Sequence, residues 1–172
     1  TGEPKQMTLS IVEETVAWLP EDKPRYLMGV GSPEDLLEGI DRGIDIFDCA
    51  LPTRIARNGA LLTRTGRVNI RNASFSREEK PVDPDCNCYT CRTFSAAYLR
   101  HLFDCRELLA YRLATIHNLA FISRLILEIR NAILNSTFNS FKSDFLAHYP
   151  PIDEQARLAQ KQNRSKWRAA DG

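Results

Sequence analysis

Three cysteines crowd into six positions, Cys86-Asn87-Cys88-Tyr89-Thr90-Cys91, and no other feature constrains this chain as strongly. Thiolates at that spacing on a loop can converge on one tetrahedral ion with little backbone strain, and a histidine from elsewhere can close the fourth position. Sulfur and nitrogen donors select zinc over magnesium or calcium, which prefer oxygen. Four protein ligands leave no coordination position for a substrate, so such a zinc is structural. The chain holds five cysteines, an odd number, in 172 residues, and it is not a small disulfide-stapled scaffold. His117 is the candidate fourth ligand. On spacing alone His101 competes with it, from the middle of a helical stretch, while His148 lies near the tail. The bland alternative is three ordinary reduced cysteines in a loop. Cys49 and Cys105 are expected to be small buried residues.

Upstream of the cluster the pattern alternates. Leu9, Val12, Val16 and Leu19 fall on one face of a helix from Met7 to Leu19, closed by Pro20 and Pro24. The apolar run Arg25 to Met28 reads as a buried strand, turned by Gly29-Val30-Gly31. Ser32-Pro33-Glu34-Asp35 supplies an N-cap, a proline at the first helical position and acids in the first turn, so a helix is expected to Arg42, stopping at Gly43. Ile44 to Asp48 reads as a second buried strand. Helix, strand, helix, strand with short connections is the rhythm of a parallel α/β architecture.

After Pro52 the rhythm breaks. Leu62, Arg64, Val68 and Ile70 alternate around the turn-like Asn58-Gly59 and Thr65-Gly66, which predicts antiparallel hairpin structure within 59–76. Pro81 to Cys91 reads as loop. Ser95 to Arg112 reads as one helix burying Tyr98, Leu102, Leu108 and Leu109. A second helix, Asn118 to Ile133, carries Leu119, Ile122, Ile126, Ile129 and Ile133. Pro150-Pro151 opens a polar tail, 150–172, expected to fray.

The net charge is +1, which excludes a globally basic nucleic-acid binder. Its distribution is uneven: Arg54, Arg57, Arg64, Arg67, Arg71 and Arg77 occur between Cys49 and Arg77 without an Asp or Glu, a candidate phosphate-facing surface. No apolar stretch approaches a membrane span, and Thr1-Gly2-Glu3-Pro4-Lys5 lacks signal-peptide anatomy, so a cytoplasmic location with no membrane partner is expected. That start reads as a loop entering a helix, and a preceding segment is expected.

Asp48 ends its strand at the carboxyl edge, where functional residues gather in parallel sheets and barrels. It is a candidate nucleophile or general base, although acids at such positions more often cap the next helix or pair with an arginine. Side chains alternate along a strand, so Ile46 and Asp48 share one face and Asp45 and Phe47 the other. Asp45 is read as structural.

Together Arg25-Tyr26-Leu27-Met28-Gly29-Val30-Gly31, Asp45-Ile46-Phe47-Asp48-Cys49-Ala50-Leu51-Pro52-Thr53-Arg54, Asn69-Ile70-Arg71-Asn72-Ala73, the cysteine cluster and His117-Asn118-Leu119-Ala120-Phe121 closely resemble the bacterial tRNA-guanine transglycosylases. The resemblance runs from Gly2 to about Tyr149. It implies the C-terminal part of a (β/α)8 TIM barrel, an α/β fold, with an inserted zinc-binding subdomain. Residues 1–53 would be the last strands and helices of the barrel, 54–117 the zinc subdomain, and 118–149 the last barrel helix and C-terminal segment. The zinc ligands would be Cys86, Cys88, Cys91 and His117, which decides against His101.

The resemblance further implies exchange of guanine at the wobble position of tRNA anticodons for 7-aminomethyl-7-deazaguanine, the queuosine precursor. Asp48 would be the nucleophile. Met28, Gly29 and Gly31 would hold the base, and Leu51, Thr53, Arg54 and Arg57 would meet the anticodon loop. The partners implied are tRNA, the deazaguanine base and guanine, with a homodimer as the assembly. The family's acid/base aspartate, its base-reading aspartate and its glycine-rich loop all precede Gly2, so this chain is expected to be inactive alone. Two other readings stand beside this one: a non-catalytic tRNA-binding or assembly subunit, which the intact Asp48 motif disfavours, and a zinc-stabilised piece with no activity.

Overall fold

A computed structural model describes residues 5–149, and the expected polar tail lies outside them. The elements are α1 (Lys5–Val16), β1 (Tyr26–Leu27), α2 (Pro33–Asp41), β2 (Ile46–Phe47), α3 (Leu51–Arg57), β3 (Ala60–Thr63), β4 (Gly66–Asn69), a 3₁₀ turn (Ala73–Arg77), α4 (Tyr89–Thr93), α5 (Ala96–Asp104), α6 (Leu108–Leu134) and α7 (Phe138–His148). The molecule is helix-rich mixed α/β, and no described helix is long and apolar enough to cross a membrane.

The β1–α2–β2 unit forms as its sequence dictates. Ser32 caps α2 with its hydroxyl accepting from Asp35 N–H at 3.2 Å, and Pro33 opens the helix. β1 and β2 pair in parallel, Tyr26 opposite Ile46 and Leu27 opposite Phe47. Both strands are shorter than expected, because only these two residues on each side find a ladder partner. They are also less buried than a strand at a sheet centre: Tyr26 and Ile46 are about half exposed, and Met28 just beyond β1 is 71% exposed. β3 and β4 form the expected antiparallel hairpin, turning at Arg64–Thr65.

α6 is the spine. Its 27 residues span about 40 Å, and two cores lie along it. The first joins Leu99, Leu102 and Phe103 of α5 to Leu113 and Ala114 of α6 and to Leu61 and Ile70 of the hairpin. The second joins Leu37, Ile55, Phe121, Leu125, Ile129, Phe145 and Tyr149. β3 is buried on both faces because alternation sends Leu61 into the first core and Ala60 and Leu62 into the second.

Several expectations fail here, in whole or in part. The helix read across Ser95–Arg112 is two, broken where Arg106 takes a left-handed φ of 58° and Arg106 N–H and Glu107 N–H return to the Phe103 and Leu102 carbonyls. Leu108 and Leu109 therefore begin α6 in solvent, 79% and 39% exposed, and Tyr98 is 40% exposed while Leu102 is buried. The most deeply buried stripe of α6 is Phe121, Leu125, Ile129 and Ala132; of the residues expected to face the core, Ile129 is buried and Ile122 and Ile126 pack partly buried on the second core, whereas Leu119 and Ile133 are about half exposed. The stretch read as loop to Cys91 already becomes α4 at Tyr89, and Cys105 is exposed rather than buried.

Candidate functional site

Each ligand of the cysteine cluster is delivered by a different device. Cys88 is the N-cap of α4, its sulfur accepting from Cys91 N–H at 3.4 Å, so the two sulfurs share one helical turn. Thr90 Oγ1 donates to the Leu113 carbonyl at 2.7 Å and pins α4 against α6. Cys86 precedes them on a tight turn in which Cys86 N–H donates to the Asp83 carbonyl. His117, fully buried on α6, has its Nε2 2.8 Å from the Leu62 carbonyl, which makes Nε2 the protonated nitrogen and turns the Nδ1 lone pair toward the sulfurs.

The donor atoms of Cys86, Cys88, Cys91 and His117 all lie within 4.8 Å of one another. His117 Nδ1 is 3.2 Å from Cys91 Sγ and 3.7 Å from Cys88 Sγ. A tetrahedral zinc requires S···N edges of about 3.6 Å and S···S edges of about 3.8 Å. The donor set fits zinc without rearrangement of the backbone. The hydrogen bond from Cys91 drives the Cys88 thiol down to about 3, and the same bond drives Cys91 upward. Burial opposes charge on His117, yet the Cys86 and Cys88 sulfurs raise it to about 9. Four convergent donors thus share protons that a dication displaces.

Asp48 stands just past β2 on the exposed edge. Tyr26 Oη donates to its Oδ1 at 2.7 Å and Gly29 N–H donates to the same oxygen at 2.9 Å. The Gly29 amide, and then the Tyr26 hydroxyl, hold the carboxyl below the usual aspartate range, while the hydrogen bond to Asp48 raises the Tyr26 phenol. Gly29 reaches this oxygen with a φ of +73°, a conformation that disfavours a side chain. Gly31 is required for a different reason: a Cβ there would lie 2.4 Å from the Cys49 Cβ. Asp45, on the other face, accepts the Arg25 N–H at 2.9 Å and is structural, as read. A groove of about 350 Å³ beside β2 is lined by residues including Gly31, Phe47, Cys49, Pro52, Leu119 and Ile122; Asp48 and Met28 are not among its walls.

The family model described as Queuine tRNA-ribosyltransferase matches residues 1–151. Among curated proteins, the queuine tRNA-ribosyltransferase of Dehalococcoides mccartyi strain ATCC BAA-2266 is 62% identical over 169 residues, 98% of this chain and 42% of that protein. Those of Herpetosiphon aurantiacus and Moorella thermoacetica are 54% and 52% identical, over 93% and 86% of this chain and 41% and 40% of theirs. The chain belongs to the queuine tRNA-ribosyltransferase family. It spans about two fifths of the length of these relatives. Within the family, the Cys86–Cys88–Cys91–His117 group is the structural zinc site.

The arginine stretch divides once placed in this family fold. Arg54 and Arg57 project from α3 and are exposed, as are Arg67 and Arg77. Arg64 instead pairs with Glu128 of α6 at 2.5 Å, and Arg71 donates to the Phe103 carbonyl and lies over its ring. Thr53 is partly buried, its hydroxyl donating to the Ala50 carbonyl, and Leu51 packs on the second core. Three residues of the site carried no sequence signal of their own role. Tyr26 looked like one apolar strand residue, Thr90 like spacing between ligands, and Asn118 like a neighbour of His117. Asn118 is fully buried: Oδ1 accepts from Leu62 N–H at 3.0 Å and Nδ2 donates to the Pro52 and Ala60 carbonyls at 2.9 and 3.0 Å. One amide therefore ties α3, which carries the exposed arginines, to β3 and α6.

Proposed function

We propose that this chain is the C-terminal portion of a tRNA-guanine transglycosylase, a pentosyltransferase that exchanges wobble guanine in tRNA anticodons for 7-aminomethyl-7-deazaguanine during queuosine biosynthesis. The observation that carries the mechanism is that both donors, Tyr26 Oη and Gly29 N–H, occupy Oδ1 of Asp48. Oδ2 is left for attack on the ribose C1′ of the target guanosine. The Oδ2–C1′ bond forms as the C1′–N9 bond breaks, and guanine departs with a proton from an acid on the part of the enzyme beyond this chain. Oδ1 becomes the ester carbonyl and keeps its two donors. N9 of the incoming base, giving its proton to the conjugate base of that acid, then attacks C1′, and the C1′–Oδ2 bond breaks to restore the Asp48 carboxylate. Two inversions at one carbon retain the β configuration. The donors that hold Asp48 ionised temper its nucleophilicity but stabilise it as the leaving group of the second step.

In this reading Met28, Gly29 and Gly31 border the base, and Leu51, Thr53, Arg54 and Arg57 meet the anticodon loop, where a guanidinium holds phosphate or stacks on an unpaired base. β1 and β2 would be the seventh and eighth strands of a (β/α)8 barrel, and their half-exposed side chains suit neighbouring strands supplied by the rest of the enzyme. Residues 54–117 would form the zinc subdomain and residues 118–149 the closing segment of a cytoplasmic homodimer. The test is base exchange into tRNA by the full-length enzyme that carries this segment. Asp48→Asn should abolish exchange while zinc content and tRNA affinity stay unchanged; exchange at more than about a hundredth of the wild-type rate removes Asp48 from its role.

A further inference from the structure

Of the four ligands, Cys86 has the least regular support. Cys88 and Cys91 sit on α4 and His117 on α6, whereas Cys86 closes a turn outside any helix or strand. That turn is built by Asp83. Its Oδ1 accepts from Asp85 N–H at 3.2 Å and its carbonyl accepts from Cys86 N–H at 3.1 Å. The Asp83 side chain is only 4% exposed. A carboxylate buried so deeply needs a counter-charge.

Arg124 supplies it. Seven residues beyond His117 on α6, it lies two turns along the same helix face. Nη2 donates to Asp83 Oδ2 at 3.3 Å and Nη1 to the Asp85 carbonyl at 2.8 Å, so one guanidinium grips the turn at both ends. The guanidinium is itself fixed on two sides, by the Phe121 ring at 5.9 Å and by Glu128, 4.0 Å from Nε, which also holds Arg64 of the hairpin turn. An ammonium could satisfy one of these acceptors but has no planar fork for both.

We propose that Arg124 is a positioning residue of the metal site, holding the Asp83–Cys86 turn on α6 so that Cys86 is presented to the zinc already aligned by His117. Arg124 touches neither ligand nor ion. It acts through Asp83, and without it Asp83 is a buried unpaired charge that opens the turn and withdraws Cys86.

The experiment measures the rate of zinc release from the zinc-loaded 172-residue chain into excess chromogenic chelator. Arg124→Ala should accelerate release by about 10- to 100-fold, the usual effect of losing a supporting partner of a ligand. Arg124→Lys should restore only part of the retention. Asp83→Asn should behave like Arg124→Ala, and the double variant should be no faster than either single one, because both remove the same grip. Ile129→Ala, which weakens the second core without touching the turn, should leave release within about threefold of wild type. If Arg124→Ala proves insoluble, Asp83→Asn carries the same expectation. Release within twofold of wild type in the Arg124→Ala or Asp83→Asn protein overturns the proposal. So do equal acceleration by Ile129→Ala and multiplicative effects in the double variant.

Discussion

Replacing Asn118 by alanine should be among the most damaging single changes in the chain that leave the metal ligands intact. The side chain is fully buried and makes three hydrogen bonds, to Leu62 N–H, the Pro52 carbonyl and the Ala60 carbonyl. The two losses are not equivalent in kind. A carbonyl has a second lone pair and loses only the net value of one bond, whereas the Leu62 amide has one proton and becomes an orphaned donor. With about 1–3 kcal/mol for the orphaned N–H and about 0.5–1.5 kcal/mol for each carbonyl bond, the total is about 2–6 kcal/mol. Domain stabilities are only about 5–15 kcal/mol, so the variant should sit near the edge of folding. Urea denaturation of the zinc-loaded chain, followed by far-ultraviolet circular dichroism, reads the difference directly. Asn118→Asp should keep the Leu62 bond but aim a carboxylate at two carbonyl oxygens, which raises its folded pKa above the unfolded value. Measured against wild type at the same pH, its stability should therefore be greatest below about pH 4 and fall as pH rises from there to the raised folded pKa. A loss below about 1 kcal/mol for Asn118→Ala, or an Asn118→Asp protein whose stability relative to wild type rises with pH above about pH 4, refutes the reasoning.

Tyr26→Phe should leave Gly29 as the remaining donor on Asp48 Oδ1, so the acid limb of the exchange pH profile should move to higher pH; an unmoved limb removes Tyr26 from the site. Zinc uptake by the metal-free chain at pH 7 should release about two or more protons, from His117 raised to about 9 and from the raised Cys91 thiol, as calorimetry in buffers of different ionisation enthalpy would show. The zinc-bound state holds none of these protons, so affinity should fall as pH drops. Arg106→Gly should stabilise the chain by about 0.5–1 kcal/mol in urea, since a glycine takes the left-handed φ of 58° without a Cβ penalty.

The zinc site was legible because coordination geometry acts through short spacing: three thiols within six positions can hardly do anything else together. The α2 boundaries were legible because Ser32, Pro33 and Gly43 each carry a local backbone reason. Where the deciding physics was non-local, the sequence was silent. Nothing in Arg106 announces a left-handed residue, so the first turn of α6 read as the end of the helix begun at Ser95, and the break was expected after Arg112 instead. The α6 face was legible in part, because its outer side is also rich in leucine and isoleucine: Ile122, Ile126 and Ile129 reach the second core, whereas Leu119 and Ile133 do not. The open strands β1 and β2 read as buried because apolar runs report what a strand is suited to cover. They do not report whether its cover lies within the chain. Tyr26 and Arg124 act through partners 22 and 41 residues away, at Asp48 and Asp83, and no local pattern encodes such pairings.

The most direct test of the functional account is the site of covalent attachment. The full-length enzyme carrying this segment should be trapped on tRNA, digested with nuclease and trypsin, and mapped by mass spectrometry. Cleavage after Arg42 and Arg54 yields a peptide holding both Asp45 and Asp48. The account predicts a ribosyl adduct on that peptide, with fragmentation placing the added mass on Asp48 and none on Asp45. An adduct on Asp45, or a trapped complex whose adduct lies outside this peptide, would contradict it.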